Sequence, residues 1–368
     1  MKVVLAFDSF KESMTNEKVA QITSYALSKK YPGIDIDYIP VSDGGEGSVD
    51  AIVKGCNGMI TYCKVTGPHF ETIYAPIGFK DDACFLESAS VVGFKFKREE
   101  DTPKKISSYG LGELVKICLD KGYKKIYIGL GGTISNDGGC GMACSLGVKF
   151  YDNENKEFIP LGETLSKIKR IDMSGLDERI NTAQIYALSD VTNPLYGENG
   201  ASYVYAPQKG ADDDEVKMLD SGLINLSNII RDNYQYDFAY SMGAGAAGGL
   251  GYACLVFLHA KIRRGIETIL DICDFDDKIK DADYIFTGEG CLDSQSFQGK
   301  VLMGIVNRAS MFNKKVIGVF GKIDRSRKFV FPSCVSAVYE TNRLNLPFKD
   351  AKLRCEEDLE KTVLEIDL

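Results

Sequence analysis

The stretch KVVLAFDSFKES (2–13) decides the fold class, and the rest of the sequence extends the pattern that it begins. Residues 3–7 are apolar, which predicts a buried strand over 2–7. A helix is expected from about residue 15 to 30, with Thr15 as its N-cap. A second strand over 34–39 then enters the glycine-rich loop SDGGEGS (42–48). Strand, helix and strand in this order predict a parallel α/β sheet.

Three later segments repeat the strand part of this pattern, each ending in glycine before helical sequence: KKIYIGLGG (124–132), DYIFTGEG (283–290) and KKVIGVFG (314–321). Residues 59–90 instead alternate as short strands around TGP (66–68), which indicates antiparallel pairing. No Pro/Ser-rich linker divides the chain. We therefore expect one α/β domain built from both chain ends, with the middle of the chain inserted as a second domain.

Composition narrows the class of protein. The 368 residues are 44% hydrophobic and 26% charged, which excludes a disordered or fibrous chain and fits two or three domains. Lysine and arginine number 44 against 52 aspartates and glutamates, a net charge of −8. This balance favours an enzyme acting on small molecules and disfavours nucleic acid or an anionic membrane as partner.

The cysteines and histidines narrow the class of protein further. Eleven cysteines occur without a C-x-x-C pair or an export signal, so we expect reduced thiols in a cytoplasmic protein. No stretch reaches the ~20 apolar residues of a membrane helix. With His69 and His259 as the only histidines, a zinc site or a histidine-dependent triad has little to build on.

Seven segments combine glycine with acids, hydroxyls or lysine, mostly just after an expected strand: DSFKES (8–13), SDGGEGS (42–48), LGGTISNDGGCG (130–141), SDVTNP (189–194), PQKGA (207–211), GAGAAGGLG (243–251) and TGEGCLDSQSFQGK (287–300). Ligands of open α/β sheets bind at the carboxyl ends of the strands. Glycine there lets backbone N–H groups approach an anion without a Cβ in the way. The set therefore predicts a pocket for an anionic ligand.

GAGAAG (243–248) matches the dinucleotide-binding pattern G-x-G-x-x-G, and Glu267 follows at about the expected distance. The context does not fit, because YDFAYSM (236–242) is a poor buried strand and Glu267 lies in a helical pattern. A phosphate or carboxylate cradle at a helix N-terminus and close helix packing through glycine and alanine both remain open. No Walker-type P-loop is present, since Val301 follows Lys300 where a hydroxyl residue is required.

The segments are rich in glycine and acids, with few lysines and no histidine, which fits phosphoryl transfer. The candidate cations for phosphates or a substrate carboxylate are Lys11, Lys209 and Lys300. For each, a plain surface charge is the alternative. The candidate metal ligands or bases are Asp190, Glu289 and Asp293. Their alternative is a capping or turn hydrogen bond. The acidic run 212–215 is instead expected to begin a helix.

Ten blocks of the sequence, in order from the first strand to about residue 320, are DSFKES, PVSDGGEGS (40–48), KVTGP (64–68), ESASVVG (87–93), SSYGLGELV (107–115), GLGGTISNDGGCGM (129–142), SDVTNPLYGENGAS (189–202), PQKGA, GAGAAGGLG and TGEGCLDSQSFQGK. Each block alone is unspecific, whereas the ordered set is specific. Together the blocks resemble the bacterial glycerate kinase family, of the glycerate 2-kinase type (type 1).

The resemblance implies ATP-dependent phosphorylation of D-glycerate with Mg²⁺. It also implies a two-domain α/β fold. A Rossmann-like parallel α/β domain would comprise residues 1–66 and 283–368, and an inserted mixed α/β domain would comprise 67–282. The active site is expected in the cleft between them.

The matching segments also imply residue roles. The implied catalytic residues are Asp190, as the base that orients the glycerate hydroxyl, Asp293 and Lys11. The implied metal ligands are Asp190 and Glu289. The residues implied to bind substrate or phosphate are Asp8, Ser9, Asp43, Gly44, Gly45, Glu46, Gly131, Gly132, Thr133, Asn136, Asp137, Asn193, Gly245, Gly248, Ser294 and Lys300. Cys291 departs from the family pattern, which has arginine at this position.

The resemblance favours phosphorylation at the 2-hydroxyl of glycerate, with a kinase that forms 3-phosphoglycerate as the alternative. An NAD-dependent hydroxy-acid oxidoreductase is an alternative from a different class. A non-catalytic sensor of sugar acids is a third, which the acidic pI disfavours. The expected partner is a small-molecule substrate, D-glycerate, with neither nucleic acid nor membrane, and a homodimer is left open.

Overall fold

The computed structural model of the protein describes residues 1–10, 13–42, 44–297 and 300–368. Its strands are β1 (Lys2–Phe7), β2 (Asp35–Tyr38), β3 (Met59–Thr66), β4 (Thr72–Lys80), β5 (Ala83–Glu87), β6 (Lys125–Gly129), β7 (Lys149–Tyr151), β8 (Glu157–Phe158), β9 (Arg170–Asp172), β10 (Gln184–Leu188), β11 (Lys261–Arg263), β12 (Tyr284–Gly288), β13 (Cys291–Leu292), β14 (Lys315–Phe320), β15 (Lys322–Ile323) and β16 (Val335–Glu340). Its helices are α1 (Asn16–Lys30), α2 (Ser48–Gly55), α3 (Ala89–Val92), α4 (Tyr109–Asp120), α5 (Cys140–Ser145), α6 (Ala201–Tyr205), α7 (Asp213–Tyr234), α8 (Ala246–Phe257), α9 (Gly265–Ile272), α10 (Phe275–Ile279), α11 (Val301–Met311) and α12 (Phe348–Glu365).

The chain divides into two compact units, each made of separate stretches of sequence. The first unit comprises Met1–Asp43, Lys54–Cys56 and Gly265–Leu368. The second unit comprises Gly44–Val53 and Asn57–Arg264. Both contain helices and parallel strands, so the α/β class predicted from the sequence is confirmed.

The main sheet of the first unit is parallel throughout and has the strand order β16-β14-β12-β1-β2. Strand β1 pairs with β12 on one side and with β2 on the other. Parallel strands are covered on both faces, which is why residues 3–7 form a continuous apolar run that is fully buried. The core around this sheet includes Leu5, Phe286 and Val319.

The helix starts predicted from capping residues are confirmed. Helix α1 begins directly after Thr15, whose hydroxyl accepts a hydrogen bond from the backbone N–H of Lys18. The acidic run 212–215 also begins a helix, because Asp212 accepts hydrogen bonds from the N–H groups of Asp214 and Glu215 at the start of α7. Both caps satisfy N–H groups that have no partner inside the helix.

The main sheet of the second unit combines two kinds of pairing, in the order β11-β10-β6-β5-β4-β3. Strands β3, β4 and β5 are antiparallel, as expected for 59–90, whereas β5, β6, β10 and β11 are parallel. A smaller antiparallel sheet has the order β8-β7-β9. Because parallel strands end at the same edge, the segments that follow Glu87, Gly129 and Leu188 meet there.

The boundaries of the units differ from those expected at 66/67 and 282/283. Strand β3 pairs with β4 along its whole length, and this pairing holds residues 59–66 in the second unit. Helix α9 belongs to the first unit, where Glu267 and Asp271 form ion pairs with Arg308 of α11. Both differences come from pairing between distant residues, which local sequence does not reveal.

No helix in the described part of the chain combines the length and the apolar character that a bilayer span requires. No disulfide is formed by the cysteines of the described residues. Five cysteines are buried and pack as small hydrophobic side chains, namely Cys84, Cys118, Cys140, Cys254 and Cys273.

Candidate functional site

The strand ends of the first unit meet at one edge of its main sheet. The backbone N–H of Asp8 donates to the carbonyl of Gly288 at 3.0 Å, which joins the ends of β1 and β12. The N–H of Gly321, directly after β14, donates to the carbonyl of Glu289 at 3.1 Å. These bonds hold the loops after three parallel strands together at the carboxyl edge, where open α/β sheets bind ligands.

A cavity of about 430 Å³ opens at this edge. Its lining includes four residues that were expected to bind or catalyse, namely Ser9, Glu289, Asp293 and Lys300. Residues that follow β16 and one face of α12 complete it. The volume lies within the ~300–1,000 Å³ range of small-molecule sites. Two carboxylates and a lysine ammonium are groups that phosphoryl transfer uses.

Short turns fix two carboxylates at this edge. Asp293 Oδ1 accepts a hydrogen bond from the N–H of Ser296 at 3.3 Å, and the N–H of Asp293 donates to Ser296 Oγ at 3.1 Å. The Asp8 carboxylate accepts a bond from the N–H of Ser9 at 2.7 Å. For Asp293 these are the turn hydrogen bonds that the sequence left open as an alternative, and the bonds hold each of the two carboxylates in a defined position at a strand end.

Cys291 lines the same cavity and is exposed. Partial burial and the carboxylates of Asp293 and Glu289 raise the pKa of its thiol, which favours the neutral form at neutral pH. The position therefore adds no charge to the cavity, whereas the arginine of the family pattern would. Among the lining residues, Lys300, Lys322 and Lys352 are cationic.

In the second unit, the loop 44–48 packs closely on the loop that follows β6. A Cβ at Gly131 would lie 2.8 Å from the Cα of Gly45, so only glycine permits this approach. Gly132 and Glu46 belong to the same pair of loops and are exposed. Of the binding residues expected here, these two are the ones that solvent and a ligand reach most easily.

Glu87, which sequence reasoning misses as a site residue, is a buried carboxylate at the end of β5. Its Oε2 accepts hydrogen bonds from Ser48 Oγ at 3.2 Å and from the N–H of Val49 at 3.1 Å. Burial raises the pKa of Glu87, and these donors oppose the increase. Glu87 thus caps the start of α2 and anchors the loop 44–48. The available signal is an acid directly after the apolar run 84–86.

Asp137 is expected in an anion-binding nest, and the structure gives it a different role. Its fully buried carboxylate accepts hydrogen bonds from the N–H and Oγ of Ser108, at 2.9 and 2.7 Å, and from the N–H groups of Gly139 and Gly141, at 3.1 and 3.3 Å. Burial raises the pKa of Asp137, and these donors oppose the increase. Asp137 therefore ties the start of α4 to the start of α5 rather than presenting charge to solvent.

The neighbours of Asp137 are also used inside the second unit, in contrast to the expected nest. Thr133 and Asn136 are buried. Asn136 Nδ2 donates to Ser202 Oγ at 3.1 Å, and its Oδ1 has no hydrogen-bond partner among the described residues. An amide oxygen is an acceptor and does not suit an anion. The N–H of Gly138 donates to the carbonyl of Gly248 at 3.1 Å. This N–H is therefore used in packing within the second unit and is not presented to an anion.

Lys209 is buried, so the surface-charge alternative for this residue is wrong. It is 2% exposed, and its Nζ donates to the carbonyl of Ser135 at 2.7 Å. Burial lowers the pKa of Lys209 to about 7, and the carboxylate of Asp137 opposes the decrease. Lys209 thus supports the loop that Asp137 anchors.

Asp190 and Asn193 follow β10 at the parallel edge of the second unit. Asn193 is engaged within its own region, since its Nδ2 donates to the carbonyl of Asn199 at 2.8 Å and its Oδ1 accepts a bond from Tyr205 Oη at 2.6 Å. Asp190 is partly buried, two residues beyond the end of the strand. The sheet edge therefore presents a carboxylate at Asp190, while Asn193 holds the loop beside it.

The glycine run 243–249 leads into α8, and the described residues 235–245 before that helix contain no strand. A Cβ at Gly245 would lie 2.1 Å from the carbonyl oxygen of Pro194, and one at Gly248 would lie 2.2 Å from that of Ser135. These contacts favour close packing, one of the alternatives that the sequence left open. The missing strand removes the context that a dinucleotide-binding pattern requires.

Three residues expected in the site remain, namely Lys11, Asp43 and Ser294. Lys11 and Asp43 lie outside the described residues. Ser294 is partly buried next to Asp293 and is not part of the cavity lining. Within 1–10, 13–42, 44–297 and 300–368, no three His, Cys, Asp or Glu side chains form a ready-made metal cage. An active site between two domains stays a prediction.

Comparison with known proteins tests the resemblance. The model of the glycerate kinase family matches residues 3–367. A glycerate kinase of Bacillus subtilis (strain 168) is 37% identical, over 100% of this chain and 97% of the relative. A glycerate 2-kinase of Escherichia coli (strain K12) is 38% identical, over 92% of this chain and 90% of the relative.

A solved structure gives the same result for the fold. A crystal structure from Salmonella typhimurium LT2, assigned as a glycerate kinase 2, matches with a TM-score of 0.84 at 36% sequence identity, over 99% of this chain and 96% of that chain. The matches span the strand-end loops of both units rather than a single motif. The resemblance carried by the ordered glycine blocks is thereby confirmed, and this chain belongs to the glycerate kinase family.

Proposed function

We propose that this protein is an ATP-dependent kinase that phosphorylates D-glycerate at its 2-hydroxyl. The observation that carries the proposal is the cavity at the carboxyl edge of the first unit, which gathers Glu289, Asp293 and Lys300. Family membership supports the choice of acceptor, since the relatives compared above are named glycerate kinases. The name of the Escherichia coli relative, a glycerate 2-kinase, favours 2-phosphoglycerate over 3-phosphoglycerate as the product.

The cationic groups of the cavity suit the transferred phosphoryl group. Phosphoryl transfer passes through a loose transition state whose charge lies on the phosphoryl oxygens. Lys300 and Lys322 contribute positive charge to the lining. Lys300 is also the N-cap of α11, where the partial positive charge of the helix N-terminus favours anionic groups. We therefore assign Lys300 to the phosphates of the nucleotide.

The carboxylates of the cavity fit Mg²⁺. Glu289 and Asp293 line the same space, and Mg²⁺ in kinases is usually held by one or two carboxylates together with phosphates and water. Such a site requires no cage of three protein acids. When bound, Mg²⁺ neutralises charge on the phosphates. We assign Glu289 to the metal, with Asp293 as the second acid of the same lining.

Asp190 is assigned as the base that accepts the proton of the glycerate 2-hydroxyl. As the hydroxyl oxygen bonds to the γ-phosphorus, its proton passes to the carboxylate and the bond from the γ-phosphorus to ADP breaks. The exposed backbone at Gly132, with a φ of +75°, is assigned to the carboxylate of glycerate, because glycine N–H groups can face an anion.

Two further observations support the proposed activity and the proposed cellular compartment. A nicotinamide-dependent oxidoreductase is disfavoured, because Gly245 and Gly248 pack on backbone carbonyls where a dinucleotide site would need exposed N–H groups. Cysteines that form no disulfide among the described residues suit a reducing compartment, so we propose that the enzyme acts in the cytoplasm on a small-molecule substrate.

The test is ADP release by the purified protein. With Mg²⁺, ATP and D-glycerate present, ADP should appear at a rate that depends on both substrates. The control omits D-glycerate, and a second control mixes the protein with NADH and D-glycerate, where NADH fluorescence should stay constant. ADP release that does not depend on D-glycerate, or a change in NADH fluorescence, would argue against the proposal.

A further inference from the structure

The cavity of the first unit has an apolar side that neither glycerate nor a phosphate chain requires. We propose that the α12 side of this cavity binds the adenine and ribose of the nucleotide. This inference rests on the proposed function, because it assumes that the phosphoryl donor is a nucleotide. It assigns a location to the adenine and ribose of ATP, whose binding site the glycine-rich loops do not indicate.

One face of α12 forms most of the apolar side, and Lys352 and Asp358 of the same helix also line the cavity. Phe348, Ala351 and Cys355 line the cavity, and their spacing of three and four residues places them on the same face of the helix. Leu346 and Pro347, directly before the helix, extend this surface. Sites for small molecules are typically lined by apolar and aromatic side chains with a few polar groups.

Phe348 supplies an aromatic ring to this face. Although it lines the cavity, it is 56% exposed, so its ring is available to a planar ligand. A base that stacks on the ring removes apolar surface of both partners from water. Base stacking on an aromatic side chain is favourable for any base, because every base has a π-face.

The segment between β16 and α12 is held in a fixed conformation. Asn342 Nδ2 donates to the carbonyl of Leu346 at 2.9 Å, and Asn342 Oδ1 accepts a bond from the N–H of Leu346 at 2.9 Å. The N–H of Asn342 in turn donates to the carbonyl of Gly321 at 3.1 Å. Leu346 and the start of α12 are thus tied to the sheet edge. A preformed surface loses less conformational entropy when a ligand binds.

Most apolar residues of the lining come from one part of the chain, and ATP likewise has one largely apolar part. The charged residues assigned above, Glu289, Asp293 and Lys300, precede α11 in the chain and come from loops at the strand ends. Apart from Phe10, which follows β1, the apolar residues come mainly from α12 and the segment before it, and α12 also contributes the charged Lys352 and Asp358. ATP joins anionic phosphates to a planar, largely apolar base. D-Glycerate has no apolar part and would leave the α12 face in contact with water.

Photolabelling of the wild-type protein tests the location without any substitution. The probe is 8-azido-ADP, which attaches close to the adenine ring on illumination. Labelled peptides are expected within residues 341–358, with ADP and not D-glycerate competing for the label. Labels found only outside 341–358, or protection by D-glycerate alone, would overturn the proposal.

Two substitutions test the same surface through ADP affinity, measured by isothermal titration calorimetry. Phe348→Ala removes the ring, and Ala351→Phe fills the space beside it. Each should raise the Kd for ADP about tenfold, which is within the range for a lost contact between a base and an aromatic side chain. Leu353→Ala and Leu353→Phe are the matched controls and should bind ADP as the wild type does. Leu353 lies on α12, is 83% exposed and does not line the cavity.

The results separate this inference from the proposed function. Unchanged ADP affinity in both Phe348→Ala and Ala351→Phe would overturn the adenosine site, even if the wild-type protein phosphorylates D-glycerate. If ADP binds at the α12 face and D-glycerate is not phosphorylated, the adenosine site stands and the proposed acceptor is wrong. Thermal unfolding curves show whether each variant is folded. If a variant is not folded, photolabelling of the wild-type protein tests the adenosine site instead.

Discussion

Lys209 Nζ donates a hydrogen bond of 2.7 Å to the backbone carbonyl of Ser135, which lies 74 positions earlier in the chain. Both residues are buried, and the bond joins the 3₁₀ turn Pro207–Lys209 to the loop that follows β6. Burial lowers the pKa of Lys209 to about 7 from the ordinary value of 10.5, and the Asp137 carboxylate opposes this decrease. The stability of the protein should therefore depend on pH through this residue.

Between about pH 7 and pH 10.5 the unfolded chain carries a proton on Lys209 that the folded protein does not. Because the unfolded state binds more protons, the free energy of unfolding rises with pH across this window, by at most about 1.4 kcal/mol per pH unit. The gain is lost as the pH falls towards 7. Lys209→Met has no such group, so its stability should rise less steeply. Urea unfolding at several pH values in the window measures both slopes, and equal slopes would contradict the assignment.

Gly248→Ala should destabilise the protein much more than Gly197→Ala. Both glycines have positive φ, +69° and +87°, so alanine introduces backbone strain at each. A Cβ at Gly248 would lie 2.2 Å from the carbonyl oxygen of Ser135, whereas nothing lies within 4 Å of a Cβ at Gly197. We expect a loss of about 1 kcal/mol for Gly197→Ala and about 3 kcal/mol or more for Gly248→Ala. Equal losses in urea unfolding would argue against close packing at Gly248.

Asp137→Ala should lower the free energy of unfolding by about 3 kcal/mol or more, because it leaves several buried donors without an acceptor. These donors include the N–H groups of Ser108, Gly139 and Gly141. The control is Asp213→Ala, since Asp213 is exposed in the first turn of α7, and its effect should stay within about 0.5 kcal/mol. Chemical denaturation measures both. If Asp137→Ala lowers the free energy of unfolding only slightly, Asp137 would again be a candidate ligand contact.

Asp190→Asn should lower kcat about 10²- to 10⁴-fold, because the amide cannot accept the proton of the attacking hydroxyl. Its thermal unfolding should remain close to that of the wild type. Asp214→Asn is the control, since the Asp214 side chain is 96% exposed and should not affect turnover. If Asp190→Asn keeps nearly full turnover, the role of base passes to Asp293 or Asp8.

The sequence predicts those elements whose determinants lie within a few residues of each other. The strand over 2–7 is recognisable because both of its faces are buried, and the start of α1 because the capping bond of Thr15 reaches only to Lys18. The acids and the lysine that line the cavity of the first unit could be predicted for a similar reason, since glycine and polar residues mark the ends of β1 and β12. Parallel strands then bring these ends to one edge.

The roles of the buried polar residues could not be predicted, because their partners are distant in the sequence. Asp137 accepts its bonds from Ser108, 29 positions earlier, so its burial does not show in the local pattern. The sequence around Lys209 does not distinguish it from a surface lysine, because its hydrogen-bond partner Ser135 lies 74 positions earlier. The α12 face gave no signal either, since Phe348 belongs to a segment without the glycines that mark the other loops.

The identity of the product tests the proposed reaction most directly. Purified protein is incubated with D-glycerate, ATP and Mg²⁺, and the products are identified by ³¹P NMR. The resonance of 2-phosphoglycerate should appear together with those of ADP, in equal amounts and only when D-glycerate is present. Formation of 3-phosphoglycerate, or the absence of any new phosphomonoester resonance from protein that is folded, would contradict phosphoryl transfer to the 2-hydroxyl.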